Sequence, residues 1–211
     1  MATATRTGGR SSRTTSADRA SRRQGGRNGN PAEPQLARLG REVQPFGRLH
    51  AVPIELDERV RAESCELLNE MLADSTILYA LYKKHHWTVA GPTFYQLHLL
   101  FDKHAAEQLE LIDLLGERVQ TLGGIAVGDP RHAAELTTIE RAPDGAEDLR
   151  AQITRLLEAH WTIIAKVRHA IERTEKSGDW GTNDLLMGDV LRRHELQVWF
   201  LSAHLVDQPL T

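Results

Sequence analysis

The sequence predicts an all-α protein, and three observations lead to this fold class. Long segments rich in Leu, Ala, Glu and Arg carry apolar residues at helical spacing. These segments lack the alternation of Val, Ile, Thr and Tyr that is typical of strands. The 211 residues include only 8 prolines, so the chain is divided into a few long pieces. At 40% hydrophobic, a chain of this length can bury the core of one globular domain.

Glycine and proline set the predicted helix boundaries. The first helix begins near residue 56 and ends before Gly91-Pro92, because proline disfavours helical geometry in the residue that precedes it. Thr93 is positioned to cap the second helix, which ends at Gly123-Gly124. The third helix stops at Ser177-Gly178. The four long helices therefore cover about residues 56–90, 94–122, 145–176 and 182–206.

The connection between the second and third helices is long. It covers residues 125–143 and includes a short helix around PRHAAELTTI. Two helical hairpins joined by one long crossover indicate a ferritin-like four-helix bundle rather than an up-down-up-down bundle.

The bulk composition favours a cytoplasmic location. The single cysteine, Cys65, cannot form a disulfide within the chain, and its apolar neighbours are typical of a buried small side chain. No apolar run approaches the length of a membrane span, and the N-terminus has no signal-peptide core. We expect neither export nor membrane insertion.

Residues 1–44 are predicted to form a disordered N-terminal tail on a helical domain that covers residues 45–211. Residues 1–34 contain no Leu, Ile, Val, Phe, Trp or Tyr, so ordering them would bury no large apolar side chain. Seven arginines against one aspartate give residues 1–30 a net charge of +6. Because the whole chain carries −3, the remainder carries about −9.

This basic tail favours non-specific binding to double-stranded DNA through the phosphates. Two alternatives are a solubilising tail on an acidic protein and an organellar transit peptide, although a transit peptide needs an apolar helix face that this segment lacks. The candidate DNA-binding residues are Arg6, Arg10, Arg13, Arg19, Arg22, Arg23 and Arg27.

Side chains of the metal-binding type lie at helical spacing in the second helix. His98 and Asp102 are four residues apart and share one face, as do Asp113 and Glu117. The two pairs are separated by about 16 Å along the axis, too far to bind one ion within a single chain. A site therefore needs two chains with antiparallel second helices, and the preceding chain reversal brings His86 alongside His98. Imidazoles with carboxylates suit iron, zinc or manganese, although each residue alone is commonly an ordinary surface or core side chain.

Residues 83–124, KKHHWTVAGPTFYQLHLLFDKHAAEQLELIDLLGERVQTLGG, resemble the signature of the Dps mini-ferritins, the DNA-binding proteins of starved cells. The shared features are HW, LH, FD, D-x-x-x-E-R and the closing L-G-G at the spacings of that family. The resemblance implies a hollow homododecamer with a ferroxidase site at each twofold interface. It places His86, His98 and Asp102 on ligand and support positions of one subunit, Asp113 and Glu117 on those of the other, and Trp87 beside the site.

The activity that this resemblance implies is oxidation of Fe(II) by hydrogen peroxide. Fe(III) would be stored in the cavity, and DNA in the nucleoid would be protected from oxidative damage during stress. The larger ferritins and bacterioferritins bind two irons inside the bundle through Glu-x-x-His, and no histidine here follows a glutamate by three residues.

Two other functions stay open. One is a DNA-condensing or storage shell whose site holds a redox-inert metal such as zinc. The other is a scaffold shell whose tail interacts with membranes or protein partners. The zinc alternative depends on His85, which is either a bystander that points away from the site or an additional ligand.

Several further residues receive roles from the sequence. His104 is expected on the surface, because it projects to a different face from Asp102. The other tryptophans, Trp161, Trp180 and Trp199, are interpreted as packing residues. Candidates for lining iron-entry pores are Asp179, Asp184 and Asp189.

Overall fold

The structure is a computed structural model that describes residues 40–207. This range contains helices and irregular segments and no strand, which confirms the all-α prediction. None of its helices is long and apolar enough to cross a membrane. The helices are α1 (Glu58–Thr88), α2 (Phe94–Thr121), α3 (Pro130–Leu136), α4 (Leu149–Ser177), α5 (Trp180–Leu185) and α6 (Arg192–Ala203).

The predicted fourth helix is interrupted between α5 and α6. Residues Leu186–Leu191 form a π-helical segment, which the apolar pattern of the sequence did not predict. A π-helical turn takes up one extra residue, so it rotates the helix that follows by about 100° relative to the helix before it. The interruption therefore changes which side chains of α6 face the bundle.

Side-chain caps explain most of the helix starts. Four aspartates accept a hydrogen bond from a backbone N–H two or three residues further on. They are Asp57, Asp129, Asp148 and Asp179. The cap at Asp148 starts α4 at Leu149 rather than at residue 145 as predicted. Thr93 occupies the N-cap position of α2, but its side chain makes no capping hydrogen bond.

The end of the α1–α2 hairpin requires glycine. Gly123 has a φ of +84°, and a Cβ there would lie 2.5 Å from the carbonyl oxygen of His50. Arg61 donates from Nη1 to the carbonyl oxygens of His50 at 3.0 Å and Leu122 at 2.8 Å. The Gly123-Gly124 stop therefore joins the segment before α1 to the end of α2.

Two buried carboxylates connect distant segments. Asp74 is fully buried, accepts from Lys166 Nζ at 2.6 Å and also accepts from the hydroxyl of Thr137 at 2.7 Å, which attaches the crossover to the bundle. Asp179 is 2% exposed and accepts from Arg118 at 2.6 Å. The interpretation of Asp179 as a pore residue is therefore wrong, because its carboxylate caps α5 inside the protein.

The core lies between the α1–α2 hairpin and the α4–α6 half of the chain. Cys65 is buried within it, as predicted. The packing role predicted for Trp161, Trp180 and Trp199 is wrong within the single chain, where they are 75%, 66% and 65% exposed. The largest side chains in the core are Tyr82, Phe101, Leu68, Met71, Leu78, Leu97, Leu111, Leu115, Leu122, Ile153, Leu156 and Ile163.

Imidazoles are also buried in this core. His160 on α4 and His194 on α6 are fully buried, and their Nδ1 atoms lie 2.8 Å apart. Burial lowers the pKa of His194 to about 3 and that of His160 well below its usual value. Both rings are therefore neutral at physiological pH.

We expect the free energy of unfolding to fall as the pH drops below 6.5. Between pH 6.5 and about 3 the unfolded chain binds a proton at His194 that the folded chain does not. At pH 5 this difference costs about 2 kcal/mol of stability. Urea unfolding at pH 7.5 and pH 5 measures the loss.

His194→Gln should lose less stability than the wild type over this interval, since it lacks the titrating group. The matched control is His169→Gln, whose side chain is exposed in the folded chain. It should show the wild-type loss. An unchanged loss in His194→Gln would contradict the assignment.

Candidate metal centre

A turn over residues 89–93 brings the end of α1 next to the start of α2. Gly91 has a φ of +109° and accepts a hydrogen bond from the backbone N–H of Phe94 at 3.0 Å. This reversal places His86 against His98, with ring centroids 3.8 Å apart and the planes at 18°. The sequence prediction that the reversal brings these two side chains together is correct.

The two histidines fix each other through reciprocal hydrogen bonds. Nδ1 of His86 donates to the carbonyl oxygen of His98 at 2.8 Å, and Nδ1 of His98 donates to that of His86 at 2.9 Å. A neutral imidazole that donates from Nδ1 carries its lone pair on Nε2. Both rings therefore present a metal-binding nitrogen, held by the same bonds that close the hairpin.

Asp102 lies beside the histidine pair. Its Oδ1 lies 4.0 Å from Nε2 of His86 and 2.5 Å from Nζ of Lys83. The hydrogen bond from Lys83 lowers the pKa of the exposed Asp102 carboxyl. The carboxylate is therefore ionised, with an ammonium group beside it.

Asp113 and Glu117 lie further along α2. Both are exposed and line a shallow depression together with Gly116, Gln120 and Ala126. They follow Asp102 by eleven and fifteen residues, so about 16 Å or more of helix separates them from Asp102. Within residues 40–207 of one chain, no group of three or more His, Cys, Asp or Glu side chains is arranged to hold a metal ion.

Trp87 follows His86 near the end of α1. Its side chain is 72% exposed, and the ammonium of Lys83 lies 6.0 Å from its ring centroid. The indole is therefore open to solvent or to a second chain rather than part of the core.

Two histidines close to the site in sequence face inward. His85 is 1% exposed and has no hydrogen-bond partner, and burial lowers its pKa to about 4. Of the two alternatives that the sequence left open for His85, a bystander or an additional ligand, the structure supports the bystander. His104 is fully buried and its Nδ1 lies 3.1 Å from the hydroxyl of Tyr82, so the surface position predicted for His104 is wrong.

A buried polar cluster was missed by the sequence analysis. Tyr82, His104, His160 and His194 come from α1, α2, α4 and α6, and all four are fully buried. One signal was available: His160 is four residues after Leu156 and three before Ile163, in the middle of an apolar stripe. Its position on that stripe indicates an inward side chain, but the stripe does not show which partners His160 contacts.

Comparison with known proteins identifies the family. Residues 65–210 match the ferritin-like domain family. A nutrient stress-induced DNA-binding protein from Synechococcus is 35% identical over 153 residues, which are 72% of this chain and 87% of that protein. The solved structure of DpsC from Streptomyces coelicolor has 57% identity and a TM-score of 0.79, covering 81% of this chain and 99% of that one. The chain belongs to the Dps family of ferritin-like proteins.

The chain is also similar to a more distant Dps structure whose description names a superfamily. The Dps protein from Vibrio cholerae is 27% identical with a TM-score of 0.70, covering 75% of this chain and 99% of that one. It is described as a member of a broad superfamily of ferritin-like diiron-carboxylate proteins. Membership of the Dps family confirms the resemblance that residues 83–124 carry.

Lys83→Gln is expected to strengthen binding of a redox-inert divalent ion, such as Co(II), up to about fivefold. The reason is that the ion has to replace Lys83 beside Asp102, and an exposed ion pair contributes at most about 1 kcal/mol. Competition titration with a chromogenic chelator measures the affinity.

Lys84→Gln is the matched control, because Lys84 donates to the carbonyl oxygen of Pro143 instead of to a site residue. Equal affinities in the two variants would contradict the competition between Lys83 and the metal.

Proposed function

We propose that this Dps protein is a ferroxidase that oxidises Fe(II) with hydrogen peroxide at sites shared between two subunits. Fe(III) is then stored inside a hollow dodecamer. The observation that carries this proposal is the division of the ligands on α2. His98 and Asp102 lie near its start with His86 beside them, whereas Asp113 and Glu117 lie near its end.

The exposed face of α2 supports a shared site. Asp102 and Asp113 lie on the same face as Tyr95, Leu99 and Leu109, since these positions follow each other at intervals of three, four or seven residues. These three apolar side chains are 66%, 49% and 53% exposed. A second α2 packed antiparallel on this face would cover them and bring Asp113 and Glu117 of one chain to the histidines of the other.

The donor set fits iron as the substrate. The Nε2 atoms of His86 and His98 bind Fe(II), and the carboxylates of Asp113 and Glu117 are hard donors that stabilise Fe(III) more than Fe(II). Two Fe(II) ions each give one electron to hydrogen peroxide, which yields two Fe(III) and two hydroxide ions. Asp102 orients His86 or holds the second iron, and the exposed Trp87 beside the site intercepts stray oxidising equivalents.

The ferroxidase proposal predicts that Asp113→Asn/Glu117→Gln slows peroxide-dependent Fe(II) oxidation about 10- to 100-fold, because neutral amides replace the anionic carboxylates that stabilise Fe(III). Fe(III) absorbance and particle size, followed together, measure this. Glu135→Gln/Glu172→Gln is the control, since it removes the same charge from exposed positions outside α2. Equal rates in all three proteins would reject the proposal.

Mixed shells test whether a site draws on two chains. Chains with His86→Ala/His98→Ala are assembled with equal amounts of chains with Asp113→Asn/Glu117→Gln, and each variant alone is expected to be at least about 10-fold slower than the wild type. Random pairing would leave about a quarter of the sites with both halves intact, because each mixed dimer holds one complete site and one doubly defective site. Activity near a quarter of the wild-type value supports the shared site. Activity no higher than that of the two variants assayed separately contradicts it.

We also propose that the protein binds DNA without sequence specificity through its arginine-rich N-terminus, as a nucleoid-associated cytoplasmic protein in stress. The support is the charge of +6 on residues 1–30 and the name of the Synechococcus relative. Twelve such segments would bring roughly +72 charges to one particle, which favours multivalent attachment to phosphates. Arg6 to Arg27 lie outside the described residues, as does most of the predicted tail over residues 1–44.

The DNA proposal predicts that replacing the seven arginines Arg6, Arg10, Arg13, Arg19, Arg22, Arg23 and Arg27 with glutamine abolishes the mobility shift of linear DNA. Replacing them with lysine should preserve it, because phosphate attraction depends on charge. Binding by the wild type should also weaken steeply with salt. Tight binding of DNA by the glutamine variant would contradict the proposal, because DNA binding would then depend on residues other than these arginines.

Zinc receives no separate support from the site. The zinc alternative depended on His85 as an additional ligand, and His85 faces Phe101 in the core, with 6.4 Å between the ring centroids.

A further inference from the structure

Four buried side chains form a continuous hydrogen-bonded chain through the centre of the bundle. The hydroxyl of Tyr82 lies 2.5 Å from Nε2 of His160 and 3.1 Å from Nδ1 of His104. His160 continues through Nδ1 to Nδ1 of His194, 2.8 Å away. Each side chain comes from a different helix, and His194 lies three residues beyond the π-helical segment.

The geometry favours proton transfer over metal binding in this cluster. Both ring nitrogens of His160 are occupied by hydrogen bonds, one to Tyr82 and one to His194, so neither offers a free lone pair to an ion. The shorter contact favours the proton order in which Tyr82 donates to Nε2 of His160, at 2.5 Å against 3.1 Å to His104, and Nδ1–H of His160 donates to Nδ1 of His194. One proton step along this line moves a positive charge from the phenol to His194.

In the resting state every member is neutral. Burial raises the pKa of Tyr82 well above its usual value and lowers those of His160 and His194. Proton transfer from the phenol is therefore unfavourable until Tyr82 loses an electron. An oxidised phenol is a strong acid, and even a weakly basic imidazole accepts its proton.

We infer that Tyr82 is an internal one-electron donor that removes hydroxyl radicals formed at the interface, with His160 as the acceptor of its proton. This inference rests on the proposed peroxide-dependent oxidation of Fe(II). Tyr82 precedes His86 by four residues on α1, so about 6 Å of helix axis separates it from the iron-binding histidine. Electrons cross protein readily over distances of this order.

The reaction balances in two steps. A single Fe(II) that reacts alone with hydrogen peroxide gives Fe(III), hydroxide and a hydroxyl radical. One electron from Tyr82 reduces that radical to hydroxide, the phenolic O–H bond breaks, and the proton forms an N–H bond at Nε2 of His160, whose Nδ1 proton passes to His194.

A second Fe(II) then restores the cluster. It gives one electron to the Tyr82 phenoxyl radical and becomes Fe(III), and the protons return along the same line. The net result is that a damaging radical oxidises one more substrate iron. His104, 3.1 Å from the phenolic oxygen, positions the ring without receiving the proton.

The test is electron paramagnetic resonance after rapid mixing of Fe(II)-loaded protein with peroxide and freezing. The chain has three tyrosines, so Tyr79→Phe/Tyr95→Phe leaves Tyr82 alone. A phenoxyl signal that ring-deuterated tyrosine alters should appear in the wild type and in this double variant, and should be lost in Tyr82→Phe. His160→Gln should lower the radical yield several-fold while Fe(II) oxidation continues, because an amide hydrogen-bonds without accepting the proton.

An iron-independent oxidant separates this inference from the proposed function. Photo-oxidised ruthenium tris(bipyridine), with persulfate as electron acceptor, should generate the same Tyr82 signal without iron. That signal in a protein that does not oxidise Fe(II) would reject the ferroxidase and keep the relay. Rapid Fe(II) oxidation without a tyrosyl signal from either oxidant, or an undiminished signal in Tyr82→Phe, would overturn the relay. If Tyr82→Phe does not assemble, the presence or absence of the phenoxyl signal in Tyr79→Phe/Tyr95→Phe is the test.

Discussion

The rigid length of α2 is the constraint on which the proposed site depends. A helix fixes the distance between side chains on one face, and the eleven residues from Asp102 to Asp113 place their carboxylates too far apart to bind one ion. The same rigidity places Leu109 between them and Leu99 one turn before Asp102, both exposed. In the proposed shared site, a second antiparallel α2 would cover the apolar side chains and supply the missing ligands at once.

The opposite face of α2 serves a different purpose. There His104 enters the core and lies 3.1 Å from the hydroxyl of Tyr82, which continues the polar chain to His160 and His194. Burying an imidazole reduces the stability of the fold unless the ring is hydrogen-bonded. Acid conditions reduce that stability further, because the buried rings have to stay neutral. A polar chain that crosses all four helices therefore has a cost that packing alone does not explain. The proposed relay would give this polar chain a function close to the proposed iron site.

Exposed aromatic side chains mark the single chain as part of a larger assembly. Trp87, Trp161, Trp180 and Trp199 are each more than 60% exposed, although indoles usually lie against other protein surfaces. In the proposed dodecamer, contacts with neighbouring subunits would bury such surfaces. Stability of the fold and assembly of the shell would then be linked, because assembly binds only the folded chain and so stabilises it.

The sequence by itself determined the four long helices, the crossover and the residue types of the site. These follow from apolar periodicity, from the breaks at Gly91-Pro92 and Gly123-Gly124, and from ligand spacing along one helix. It did not determine the π-helical segment, which arises inside an uninterrupted helical pattern.

Only the tertiary structure decided which histidines face the site. His85 and His86 are adjacent, yet a rotation of about 100° per residue puts one in the core and the other on the exposed hairpin. Periodicity was ambiguous there, because α1 also buries Ser64, Asn69, Asp74 and Ser75. His104 and Asp179 were misplaced for the same physical reason. A polar side chain is buried when distant segments supply its hydrogen bonds, and those partners, Tyr82 for His104 and Arg118 for Asp179, come together only in the folded chain.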